Sequence, residues 1–256
     1  ILKPYLAHLD RGIAVSEPAK AFVNRYFPDF PLRVIPNGID ISVFHPGHPP
    51  IRHLRDDRVN ILFVGRLEKR KGLGYLLRAY EFMKPRVPNT RLIVVGDGPL
   101  RNSVESYISR HRLPDVVMAG YVPDSVLPRY YSSADIFCAP ATGAESFGIV
   151  LLEAMASGLP VVATEIDGYM SVLEPGLDSL TVRPKGSAEL GAALVILARD
   201  AHLRKRMGDY GLEKAHHYAW EEVASQVLEV YGEARQARAR REAVVSREVM
   251  NVHDAV

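Results

Sequence analysis

The sequence predicts an α/β fold, a Rossmann-like doubly wound parallel sheet followed by terminal helices. Three observations predict it. Short apolar runs alternate with helical patterns between residues 59 and 184, the rhythm of strand–helix crossovers. Several of those runs are unbroken Val, Ile and Leu, as expected of parallel strands covered on both faces. Beyond Ser187 the pattern becomes purely helical.

In chain order, residues 1–45 hold "RGIAVS", a helical stretch to about Phe27, and "LRVIPNGID". They read as strand, helix, strand, too little to stand as a domain. The start at Ile1, without methionine and in mid-pattern, reads as a cut. Residues 46–58 lie in a Pro- and His-rich stretch of linker composition. The main domain, 59–217, offers strands at "VNILFVG" (59–65), "RLIVVG" (91–96), "VVMAG" (116–120), "DIFCAP" (135–140), "LPVVAT" (159–164) and "SLTVRP" (179–184). Its last helices are "AELGAALVILARD" and "AHLRKRMGDYGLEKA", and residues 218–240 form another that begins near Trp220. The Ala/Arg/Glu-rich tail, 241–256, reads as an extended solvated helix, a frayed or disordered end, or an anchor on an acidic membrane surface.

Composition narrows the function classes. The 256 residues are 47% apolar and 24% charged, the balance of an ordinary globular protein. A net charge of +2 argues against a dedicated nucleic-acid binder. The lone Cys138 excludes an internal disulfide framework and reads as core filler. Nine histidines form no His-x-x-x-His pair and no Asp-x-Asp pair follows a strand, so neither a zinc hydrolase nor a metal requirement is indicated. No run approaches the ~20 apolar residues of a bilayer span, and the start lacks a signal peptide.

Ligands of open α/β sheets bind beyond the carboxyl ends of the strands, so the residues that follow each strand are the candidates. "GRLEKRKG" (65–72) places Gly65 where backbone can approach a ligand, with Arg66 and Lys71 five apart. The pair could grip two neighbouring phosphates, or belong to a solvated basic turn. "VVGDGP" (94–99) gives Gly96-x-Gly98, but Arg101 stands where a dinucleotide fingerprint needs its third glycine, so a nicotinamide cofactor is not expected.

The stretch "GAESFGIVLLEAMASG" (143–158) carries Glu145 and Glu153 eight positions apart. A helix starting near Gly148 would present the N–H groups of Phe147, Gly148 and Ile149 as an anion site. Glu145 then lies on the loop lip, suited to sugar hydroxyls. Glu153 lies roughly 7–8 Å along the helix at ~1.5 Å per residue, where a carboxylate could accept both hydroxyls of a ribose. In isolation two glutamates read as surface ion-pair partners. Inside an otherwise apolar helix that reading weakens, because an unpaired buried carboxylate is costly.

These elements together resemble glycosyltransferase family 4, the retaining GT-B transferases. "IAVS", "VIPNGID", "GRLEKRKG", "VVGDGP", "SADIFCAP", "ESFGIVLLEAMASGLPVVAT" and the "YAW" helix start match in order and spacing from about Asp10 to Gly232. Within that family the chain looks most like the phosphatidyl-myo-inositol mannosyltransferase branch, through "CAPATGAESFGIVLLEAMASG" and "EIDGYMSVL". Many relatives carry Gly-Gly-x-x-Glu where Asp167-Gly168 stands here.

The resemblance implies that Arg66 and Lys71 bind the donor diphosphate, Glu145 the donor sugar, and Glu153 the ribose. It implies that Phe147, Gly148 and Ile149 touch sugar and phosphate with Ser146 beside them, and that Gly65, Gly96, Tyr121 and Val122 border the nucleotide. No cofactor and no metal is expected, only a nucleotide-sugar substrate, GDP-mannose first and UDP-glucose next. The acceptor would be a lipid or a saccharide, and the location cytoplasmic, peripheral to the inner membrane face. Such enzymes have a first Rossmann-like domain that binds the acceptor. Residues 1–45 resemble only its end, so that domain is expected in cis or in trans, and the terminal helix is expected to lack its usual partner. The alternatives are a non-catalytic nucleotide-sugar-binding subunit of a split transferase and a GT-B-like epimerase.

Overall fold

The structure is a computed structural model that describes residues 8–253, with side chains to residue 243. The chain divides into two compact units, one of residues 39–219 and one that joins the first 38 residues to those from Trp220 onward.

The smaller unit opens with β1 (Gly12–Ala14), α1 (Glu17–Asn24) and β2 (Leu32–Val34). The strands pair in parallel with Gly12 opposite Leu32. Ser16 caps α1 by accepting from the Ala19 N–H at 3.2 Å, satisfying one of the donors that a helix start leaves free.

The larger unit holds β3 (Val59–Val64), α2 (Leu73–Met83), β4 (Thr90–Val95), α3 (Arg101–Arg110), β5 (Val116–Gly120), α4 (Leu127–Tyr131), β6 (Ile136–Ala139), α5 (Ile149–Ala156), β7 (Val161–Thr164), α6 (Asp167–Met170), β8 (Ser179–Val182), α7 (Ser187–Arg199) and α8 (Ala201–His216). Six strands form one parallel sheet in the order β5-β4-β3-β6-β7-β8. The unbroken aliphatic runs explain it, since β4, β6 and β7 are buried at every position and so need apolar side chains on both faces. Cys138 sits fully buried in β6. The chain builds outward from β3 to β5 and then returns to the other side of β3 as β6, with Ile61 opposite Ile136. That reversal opens a crevice between the carboxyl ends of β3 and β6.

The stretch read as a linker is tied to the amino end of this sheet. The Ile51 N–H donates to Ser133 Oγ at 2.7 Å, the Asn60 side chain donates to Leu54 O at 2.9 Å, and buried Arg91 pairs with Asp56.

The chain ends in α9 (Trp220–His253). The tail, for which helix and disorder were both open, continues this helix, and residues 254–256 lie outside the described ones. The terminal helix packs within its own unit. Val223 and Val230 bury against Ile35 with Val227 beside them, and Arg33 pairs with Glu229 at 2.7 Å. The i, i+4, i+7 valines give α9 one apolar stripe that the β1–β2 unit covers, while Leu228 and Tyr231 stay exposed. Among the described residues no helix is long and apolar enough to cross a membrane.

Candidate functional site

The crevice is lined by four connections that leave the carboxyl ends of strands. After β3, Gly65 and exposed Arg66 lead through buried Leu67 into a 3-10 turn, Lys69–Lys71. After β4, Gly96 turns back beneath them. The Leu67 N–H donates to Asp97 O at 2.9 Å and the Leu100 N–H to Leu67 O at 3.0 Å. The backbones meet so closely that a Cβ on Gly96 would lie 2.1 Å from Gly65 O. Only glycine fits there.

The third connection, from β6 to α5, carries the acid on the lip. Glu145 is 11% exposed, and its Oε1 takes Lys71 Nζ at 2.6 Å and an Arg70 Nη at 2.5 Å. The Thr142 N–H donates to Arg70 O at 2.7 Å, so this loop is fastened to the 3-10 turn by backbone as well as by charge. Glu145 Oε2 takes part in neither ion pair. Ser146 is exposed, Phe147 is buried, and Ile149 is 47% exposed.

Gly148 starts α5 with φ of 97°, and a Cβ there would lie 2.7 Å from the Tyr169 ring of α6. No side chain caps this helix, and the N–H groups of Phe147, Gly148 and Ile149 have no acceptor among the described residues. They are free donors at an uncapped helix start, the arrangement that favours an anion. Gly148→Ala should lower stability by about 1–3 kcal/mol through backbone strain alone, with the Tyr169 clash adding to it. A thermal melt that leaves the variant unchanged would show that the turn relaxes freely.

Glu153 lies farther into α5, mostly buried. Its Oε2 accepts from the fully buried Tyr131 hydroxyl at 2.5 Å. Burial holds this carboxyl above the ordinary carboxylate range, the Tyr131 donation opposes that, and the charge of Asp124 adds to it. Oε2 thus already accepts one hydrogen bond, and Oε1 accepts none among the described residues. On the fourth connection, after β5, Tyr121 is 75% exposed and Val122 partly buried.

The residues singled out in sequence thus stand on connections at one end of one sheet and in helix α5, which leaves one of them. Lys71 meets Glu145, while Arg66 is exposed without an ion-pair partner among the described residues. Among the described residues no cluster of three or more His, Cys, Asp and Glu could hold a metal.

The family of glycosyl transferases group 1 matches residues 48–214. The chain belongs to that family. The phosphatidyl-myo-inositol mannosyltransferase of Mycolicibacterium smegmatis is 35% identical over 236 residues, 90% of this glycosyl transferase chain and 59% of the relative. Among solved structures, sucrose-phosphate synthase from Thermosynechococcus elongatus superposes with a TM-score of 0.79 at 28% identity, covering 93% of this chain and 62% of that one. Anabaena HepE in complex with UDP and glucose gives a TM-score of 0.76 at 25% identity, covering 86% and 62%. The chain therefore spans less than two-thirds of the length of each. The neighbours share the GT-B architecture, and the six-stranded parallel sheet of this chain is its counterpart.

Two residues of this group 1 glycosyl transferase escaped the reading of its sequence. Arg70 lies in the run "KRK", where nothing distinguishes the cation that turns inward. An acid on the lip of a loop was the available signal, since it needs a counter-charge. Tyr131 was signalled by the buried carboxylate itself, which requires a donor.

Proposed function

We propose that this chain is the donor-binding part of a retaining hexosyltransferase. The sugar would be mannose from GDP-mannose, with UDP-glucose as the next donor, and the acceptor a lipid or saccharide. The observation that carries the reading is the convergence of Lys71 and Arg70 on Glu145 beside the unpaired N–H groups of Phe147, Gly148 and Ile149. Cations and a helix N-terminus suit a diphosphate, a carboxylate oxygen beside them suits sugar hydroxyls, and Glu153 suits the ribose.

In this reading the bond between the anomeric carbon and the phosphate oxygen breaks, and its electron pair leaves on the diphosphate. Lys71, Arg66 and the N–H groups of the α5 start stabilise that charge where it develops. The acceptor oxygen attacks from the face the diphosphate leaves, and its proton passes to the departing phosphate oxygen. Glu145 is engaged by two cations, which suits a sugar-binding acid better than a nucleophile. No metal is needed for this charge balance.

The acceptor wall would come from a further Rossmann-like domain, in cis or in trans, working at a membrane surface if the acceptor is a lipid. Span supports that part of the reading, because the chain covers 59% of the mycolicibacterial relative. Orientation of two reactants can supply ~7–11 kcal/mol of a barrier, so these residues alone should bind a nucleotide sugar yet transfer little. Radiolabelled GDP-mannose and phosphatidylinositol, with and without the upstream domain of the relative, test this. Full transfer by the chain alone would overturn the two-part reading. Nucleotide binding without transfer in either arm would favour a non-catalytic subunit, and conversion of the nucleotide sugar without acceptor an epimerase.

A further inference from the structure

The two site carboxylates share a habit. Each gives one oxygen to the protein, Glu145 its Oε1 to Lys71 and Arg70, Glu153 its Oε2 to Tyr131. The Glu145 partners are charged and stand at the rim. Tyr131 is different, because it is fully buried, and its ring packs against both Phe44 and Phe137, each with its centroid 5.6 Å away. A phenol packed this way has no freedom to follow a moving carboxylate. Glu153 Oε1 accepts from no group among the described residues, and Asp124 is the nearby charge that acts on this carboxyl.

We infer that Tyr131 is a positioning residue for the ribose contact. Its hydroxyl anchors Glu153 through Oε2, so that Oε1 is the oxygen presented to the sugar of the nucleotide. This rests on the donor-binding reading above. Without the anchor, the carboxylate can rotate about its last bond and lose direction, while ring packing in the core is untouched. The loss should therefore fall on nucleotides that carry ribose hydroxyls and spare those that lack them.

Calorimetry on the chain with GDP and UDP, each beside its 2′,3′-dideoxy counterpart, separates the two ideas. The unmodified chain should prefer the ribonucleotide. Tyr131→Phe should weaken ribonucleotide binding by about five- to tenfold and dideoxynucleotide binding by less than about twofold. Combining it with Glu153→Gln should add little to the effect of Glu153→Gln alone. Equal losses for both nucleotides, or an unchanged ratio, would overturn the inference and leave the donor-binding reading intact. Failure of the unmodified chain to bind either ribonucleotide would overturn both. Should Tyr131→Phe not fold, 3-fluorotyrosine at position 131 is a stronger donor of nearly the same shape. Its ribose preference is expected to rise, and a preference that does not move counts against the inference.

Discussion

Lys71→Ala is expected to reduce transfer, in a chain completed by its acceptor domain, by roughly 10²–10³-fold, the usual cost of removing one charge partner from a transition state. Lys71 is 17% exposed and lies 2.6 Å from Glu145. Little solvent screens it, so a phosphate oxygen gaining charge nearby would feel it strongly. Its removal also leaves Glu145 with Arg70 as its one ion-pair partner among the described residues, so in the proposed reading the sugar contact would loosen at the same time. Arg66→Ala should be milder, because an exposed guanidinium is screened by water and salt. Single-turnover rates and calorimetry with GDP and UDP check both variants. Unchanged affinity and rate for Lys71→Ala would remove it from the phosphate site.

Glu153→Gln should separate stability from binding. A charge-assisted hydrogen bond contributes roughly 1.5–3 kcal/mol, so affinity for a ribose nucleotide should fall about tenfold to a hundredfold. Stability should move the other way. Burial raises this carboxyl's pKa in the folded chain, so folding favours its protonated form. Its favourable contribution is full below the ordinary carboxylate range and is lost as pH rises through the folded value. Gln keeps an acceptor for the Tyr131 hydroxyl and removes the buried charge, so the variant should melt at or above the unmodified temperature near neutral pH. A collapse of thermal stability with affinity intact would make Glu153 a structural acid.

The sheet was legible because its strands are buried on both faces, and an unbroken "LIVV" or "PVVAT" has little other use. The start of α5 was legible too, since Gly148 before "IVLLEAMA" marks a turn into an apolar helix. What escaped reading was pairing across the chain. Arg70 reaches Glu145 over 75 positions and Tyr131 reaches Glu153 over 22, and neither link leaves a local pattern. The contacts of the stretch 46–58 were hidden for a related reason. Its prolines and histidines look like a tether, yet Leu54 is buried and its carbonyl accepts from Asn60, a bond visible only once β3 is in place. The terminal helix shows the same limit, because its valines announce a buried stripe without naming Ile35 as the residue beneath it.

The close approach of Gly96 to Gly65 has a consequence for how donors are told apart. With a Cβ only 2.1 Å from a carbonyl oxygen, that side of the crevice cannot be reshaped by exchanging the side chain at Gly96. At that point the wall is main chain alone. Variation has room on the neighbouring connection after β5, where Tyr121 stands 75% exposed. A change of appetite from one base to another should therefore be sought among residues 121–126, and a library confined to that segment is the shortest path to a transferase with a new donor.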